Sequence, residues 1–124
     1  MKKPVREADL DWTVWYPGTP REIRGKALCD VGGAAKVGVG LLELAPGSDT
    51  TPAHYHTLEE EHLYVLAGRL TLVLGEERFL LEPGAYVCFP AGQALKHHLR
   101  NESAEPARYL MIGERISGDR VVYD

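Results

Sequence analysis

The sequence predicts an all-β fold of two packed antiparallel sheets. Three observations carry that reading. The 13 glycines and 8 prolines fall between short apolar runs, so strand-length segments alternate with turns. The run RLTLVLGEERFLL, residues 69–81, sets Thr71 and Val73 between leucines, turns at Gly-Glu-Glu and resumes as a second apolar strand, the pattern of a β-hairpin. No segment of a dozen residues keeps apolar positions at helical spacing without an intervening glycine or proline, so helices are expected to be minor.

In chain order, the N-terminal arm, about residues 1–20, comes first. It carries Trp12, Trp15 and Tyr16 but is broken by Pro17, Gly18 and Pro20 and shows no strand alternation. It is expected to lie across the barrel or against a second subunit, its aromatics capping the core. Strands are then expected over 22–29, 35–44, 53–56, 60–66, 69–74, 78–81, 86–89, 97–101 and 108–114. Pro46-Gly47 and Pro83-Gly84 punctuate the chain as turns. With no internal repeat, linker or low-complexity tract, residues 1–124 are read as one domain.

Composition narrows the function classes. A formal net charge of −4, with no cluster of Lys and Arg, argues against a nucleic-acid partner. No apolar run reaches bilayer-spanning length, and the first residues lack the apolar stretch of a signal peptide, so a cytoplasmic protein without a membrane partner is expected. Cys29 and Cys88 are too few and too far apart for a disulfide framework or a CxxC pair. Small metabolites remain as ligands.

Chemistry concentrates in two windows. All five histidines lie there: His54, His56 and His62 in the first, His97 and His98 in the second. Alternation along a strand points His54 and His56 to one side with Tyr55 opposite, a clamp for one ion. Glu61 opens an apolar strand and shares its face with Leu63 and Val65, where a carboxylate is costly unless paired or bound to metal. His97, on a separate strand with Leu99 and Asn101 on its face, supplies a fourth donor. His62 and His98 point the opposite way. Glu59 and Glu60 read as solvated, with Glu60 the substitute for Glu61 should the register shift by one. Tyr86 and Cys88 share a face and read as core, and Arg69, Arg78, Arg100 and Arg108 as surface cations.

Both windows resemble the two motifs of the cupin superfamily. Gly47, His54, His56, Glu61 and Gly68 follow the first, with the gap after Gly47 off by one residue. Gly84, Pro90, Gly92, His97 and Asn101 follow the second, with two residues more than usual between Gly92 and His97. The distance to Asn101 selects His97 over His98. The motif region is 47–101, and the short spacing between the motifs resembles small single-domain bacterial cupins of the type-2 kind.

The resemblance implies a double-stranded β-helix, the jelly-roll barrel of cupins. It also implies one divalent transition metal ion (Fe, Mn, Ni, Zn, Co or Cu) held by His54, His56, Glu61 and His97. Ligand type separates these metals poorly. Two adjacent positions on an octahedral ion would stay open for a chelating substrate, dioxygen or water. The expected function is a metal-dependent enzyme acting on a small oxygen-rich organic molecule, by dioxygenase, isomerase, decarboxylase or lyase chemistry. The alternative is a non-catalytic small-molecule or metal-binding module, because the sequence names no general acid or base beside the metal. A homodimer is expected, since an open sheet edge needs cover.

Overall fold

A computed structural model describes residues 3–123 of the chain. After a 3-10 turn at Glu7–Asp9, the elements are β1 (Thr13–Trp15), β2 (Ile23–Ala27), α1 (Leu28–Gly32), β3 (Val37–Leu44), β4 (Tyr55–His56), β5 (Glu61–Ala67), β6 (Leu70–Leu74), β7 (Glu77–Leu81), β8 (Tyr86–Phe89), β9 (His97–Arg100), β10 (Ala107–Glu114) and β11 (Val121–Val122). All strand pairs are antiparallel. One sheet runs β1-β2-β3-β10-β5-β8; opposite it lie β7-β6-β9 and the short pair β11-β4. An isolated bridge between His54 and His97 joins these last two groups edge to edge. The result is the all-β jelly roll that the sequence leads one to expect, with two candidate ligands on the seam of its second sheet.

The period-2 pattern of β5 explains where the core sits. Leu63 and Val65 are fully buried, while Tyr64 and Leu66 between them are exposed, so one strand face packs inward. Leu44, Leu70, Leu72, Leu81, Phe89, Leu99, Ala107 and Tyr109 complete the cluster from both sheets. Glu61, two residues before Leu63, stands at the end of the same inward face.

The glycines of both motifs, Gly47, Gly68, Gly84 and Gly92, all have positive φ. Gly68 shows why no other residue serves. Its φ is +75°, and a Cβ there would lie 2.5 Å from the Pro106 carbonyl oxygen, so the turn between β5 and β6 closes only without a side chain.

Four expectations need correction. The strand expected over 22–29 stops at Ala27; Leu28–Gly32 is a short helix ended by Gly33 in the left-handed conformation. That glycine pair allows the chain to reverse before β3. The strand expected over 53–56 shrinks to Tyr55–His56. The arm is not free of strand structure: Thr13–Trp15 pairs with Ile23–Gly25, a partner that no local pattern announces. Nor do its aromatics cap the core, since Trp15 and Tyr16 are exposed. The arm does lie across the barrel. Trp12 carries the guanidinium groups of Arg24 and Arg108 and the Lys26 ammonium over its ring, and Glu7 pairs with Lys26 and Arg108. No helix among the described residues is long and apolar enough to cross a membrane.

Candidate metal centre

The four candidate ligands come from three strand ends and one bridge residue. His56 closes β4, Glu61 opens β5, His97 opens β9 and His54 lies on the bridge to His97. Mutual backbone bonds, 3.1 Å from His54 N–H and 2.9 Å from His97 N–H, pin two ligand-bearing segments that are far apart in sequence. The longer approach to His97 is anchored at both ends: Gly92 N–H donates to the His56 carbonyl at 2.8 Å, and Gly75 N–H to the Lys96 carbonyl at 2.9 Å. The extra residues therefore leave the register of His97 intact.

Donor atoms of His54, His56 and Glu61 lie within 4.8 Å of one another. His97 stands beside this trio rather than inside it, its ring centroid 4.8 Å from that of His54. The His97 ring is stacked on Phe89, 3.7 Å between centroids at 11°, and the residue is almost wholly buried. Burial, helped by the neighbouring imidazoles of His54, His56 and His98, lowers its pKa to about 4. His97 is thus a neutral imidazole with a free lone pair, the form a metal requires.

The contacts around His56 leave one carboxylate oxygen for a cation. His56 Nδ1 lies 2.7 Å from Asp119 Oδ2. Against the upward push of desolvation, bonds from His56 and from the backbone N–H groups of Leu58 and Glu59 hold Asp119 at about 2. A carboxylate only accepts, so His56 Nδ1 carries a proton, and in the neutral ring that a metal requires Nε2 then presents a lone pair. Facing it at 3.0 Å is Glu61 Oε1. This close pair is not an aligned hydrogen bond, for Oε1 is enclosed with no hydrogen-bond partner. An enclosed carboxylate oxygen without a donor is costly, and a cation between it and a neutral His56 ring would relieve that cost. Burial pushes the Glu61 carboxyl up; a bound dication would reverse that shift. His54 Nδ1 is turned to the Pro52 carbonyl at 3.3 Å, which leaves its Nε2 available. The residues present therefore fit a divalent ion.

Glu60 does not replace Glu61. It points to the outer face, where its Oε1 is 2.6 Å from His62 Nε2, and His62 Nδ1 is 2.6 Å from the Tyr86 hydroxyl. Tyr86 is exposed rather than core. His98 takes the opposite side of β9 from His97, its Nδ1 enclosed without a partner. Asn101, the last motif residue, ligates nothing: its amide donates to the carbonyls of Leu44 and Glu105, at 3.0 and 2.8 Å, and so closes the turn into β10.

Two residues escape sequence reasoning. Asp119 orients His56 from a turn 63 residues away, and only the Gly118-Asp119 turn chemistry marks it. Tyr109 is a core residue of β10, 1 % exposed, and it lines a cavity of about 250 Å³ with His54, Glu61 and His97. Burial and the Glu61 charge raise its pKa well above the usual phenol value, so the hydroxyl keeps its proton. No signal separates it from the other five tyrosines.

The geometry can be set beside known proteins. Over 78 residues the chain is 34% identical to the tetracenomycin polyketide synthase protein TcmJ of Streptomyces glaucescens, a match covering 63% of this chain and 50% of TcmJ. The chain thus spans about half the length of that relative. A sugar phosphate isomerase of the cupin superfamily from Silicibacter pomeroyi superposes with a TM-score of 0.88 at 28% identity, covering 98% of this chain and 82% of that one. The polyketide cyclase RemF of Streptomyces resistomycificus gives 0.80 at 26% identity, covering 100% and 87%. These relatives include enzymes of different chemistry. The profile of the cupin domain matches residues 40–113, more than half of the chain and all four ligand candidates, and the chain belongs to the cupin family.

Proposed function

We propose that this cupin is a metal-dependent enzyme acting on a small oxygen-rich organic molecule, with His54, His56, Glu61 and His97 holding one divalent transition metal ion. The observation that carries the proposal is the enclosed Glu61 Oε1, 3.0 Å from His56 Nε2 with no donor aligned on it. Such an ion supplies Lewis acidity or oxygen activation to a substrate chelated at its open positions.

The chain's own residues do the rest. Asp119 fixes the His56 tautomer and ring plane, as an outer hydrogen-bond partner does for a ligating histidine. Phe89 fixes the plane of His97. The apolar walls of the cavity exclude water and so strengthen every electrostatic interaction inside. Tyr109 keeps its proton and lines the cavity as a neutral hydrogen-bonding group.

The test is a buffered titration of metal-stripped protein with Zn, Fe, Ni, Co, Cu and Mn, followed by incubation of each loaded form with diketones, catechols, keto acids and hydroxy acids, with and without oxygen. One equivalent of metal and turnover by the loaded form alone are expected. Unchanged metal content in His54→Ala sinks the ligand assignment; inertness of every loaded form favours a binding module. We also propose a homodimer formed through the outer face of β5 and the edge strand β8, where Tyr64, Leu66 and Tyr86 stand exposed. A light-scattering mass of one chain at micromolar concentration would contradict it.

A further inference from the structure

The cavity beside the metal centre carries information about what enters it. Its volume is about 250 Å³, and apart from the ligand candidates its walls are Ile23, Leu42, Phe89, Leu99 and Met111, with Tyr109 and Thr50 as the polar contributions. No Lys or Arg lines it among the described residues. A phosphorylated substrate brings about two negative charges, which a buried site must meet with cations or a ring of N–H donors.

The cations of β2 and β10 are committed elsewhere. Arg24 and Arg108 pair with Glu43, and Lys26 with Glu7, all on the outer face under the arm. Arg115 lines the adjoining groove, which shares Leu42, Glu61 and Met111 with the cavity. Its guanidinium is held by the Asp30 carboxylate at 3.1 Å, the Ala34 carbonyl at 3.0 Å and Cys29 Sγ at 2.8 Å. Among the described residues the only Asp, Glu, Lys or Arg lining the cavity is Glu61, so the chain itself offers no cation there to meet a phosphate.

Tyr109 supplies the complementary observation. It is buried to 1 % exposure and lines the cavity. A buried phenol pairs an apolar ring with one polar end that seeks a hydrogen-bond partner. With apolar walls on either side, that hydroxyl is a single directional donor in an otherwise greasy slot, as ligand sites commonly provide. Roughly 150 Å³ of apolar cavity accommodates one benzene ring, so this one has room for one or two fused rings.

We propose that the cavity takes an uncharged, ring-bearing phenol or ketone whose oxygen accepts or shares the Tyr109 hydroxyl proton, and that it excludes sugar phosphates. The proposal rests on the metal reading above for a second, chelated oxygen, but ring burial and the Tyr109 bond do not need the ion. It separates this chain from the isomerase of similar fold, whose described substrate is a phosphorylated sugar.

The experiment uses two probes, 2-naphthol and fructose 6-phosphate, titrated by fluorescence and calorimetry into metal-stripped and zinc-loaded full-length protein, wild type and Tyr109→Phe. Metal stoichiometry is measured on every sample. 2-Naphthol should bind both forms of the wild type, and fructose 6-phosphate neither over the same concentration range. Tyr109→Phe, which keeps the ring and so the core, should weaken 2-naphthol about fivefold, the value of one hydrogen bond, with zinc stoichiometry unchanged. Binding of fructose 6-phosphate as tight as that of 2-naphthol overturns the proposal, as does equal 2-naphthol affinity in the Tyr109→Phe protein. Failure to bind zinc while 2-naphthol still binds the stripped protein defeats the metal reading and leaves the cavity assignment standing.

Discussion

Two clusters of the same chemistry stand back to back on β5. On the inner face are His54, His56 and Glu61, with His97 beside them; on the outer face Glu60, His62 and Cys88 also gather donor atoms within 4.8 Å. Glu60 and Glu61 are adjacent in sequence, so a single step of strand alternation separates the two sets. Yet their states differ. Outside, His62 is satisfied on both ring nitrogens, by Glu60 and Tyr86, in reach of solvent. Inside, a carboxylate oxygen is enclosed without a partner and a buried imidazole is held neutral. Residue type alone does not select a candidate metal site; what distinguishes the inner cluster is an enclosed carboxylate oxygen without a partner beside a buried imidazole.

The sharpest way to break that contrast is to delete one histidine from each side. His56→Ala is expected to weaken zinc by more than about 100-fold, beyond what losing an outer hydrogen-bond partner costs, whereas His62→Ala should leave it within about twofold. Competition with a chromogenic chelator reads both, and equal losses would erase the distinction between the faces.

Next in size is the thermal effect of the ion. Zinc at 100 times its dissociation constant adds about 2.7 kcal/mol of stability, a rise of roughly 10 °C in Tm for a chain of this length. Differential scanning calorimetry should show that rise in the wild type and in Glu60→Gln and lose it in Glu61→Gln. A rise that survives Glu61→Gln would move the site elsewhere.

Asp119→Asn tests whether the inner cluster is oriented from outside. It is expected to lower zinc affinity by about 10- to 100-fold while the far-UV circular dichroism stays that of the wild type. Unchanged affinity would make Asp119 a loop tie alone, since it also accepts from the backbone of Leu58 and Glu59. The smallest effect is expected at the ring beneath His97: Phe89→Leu keeps an apolar side chain but loses the stack, for an estimated three- to tenfold loss of zinc affinity, consistent with the modest energy of one aromatic pair. A change as large as that of His56→Ala would mean that Phe89 shapes the whole cavity.

Much of this site is legible in one dimension because its parts are local. The His54-Tyr55-His56 spacing and the Glu61-Leu63-Val65 face are consequences of a two-residue period, and the structure buries Leu63 and Val65 as that period requires. The fold class follows from the same alternation together with turns at Pro-Gly pairs. The helix at Leu28–Gly32 and the strands Thr13–Trp15 and Val121–Val122 are not legible. Each is too short for a pattern, and the two strands exist because a partner edge satisfies their backbone groups.

By itself the sequence determined the β architecture, the inward face of β5 and the candidates His54, His56, Glu61 and His97, because alternation and motif spacing are properties of neighbouring residues. Tertiary structure alone decided which carboxylate oxygen lacks a donor, that Asp119 bonds His56, that Tyr109 lines the cavity, and that Arg24, Lys26 and Arg108 are already paired. Those are relations among strands dozens of residues apart, created when two sheets close on one another and water is removed from between them.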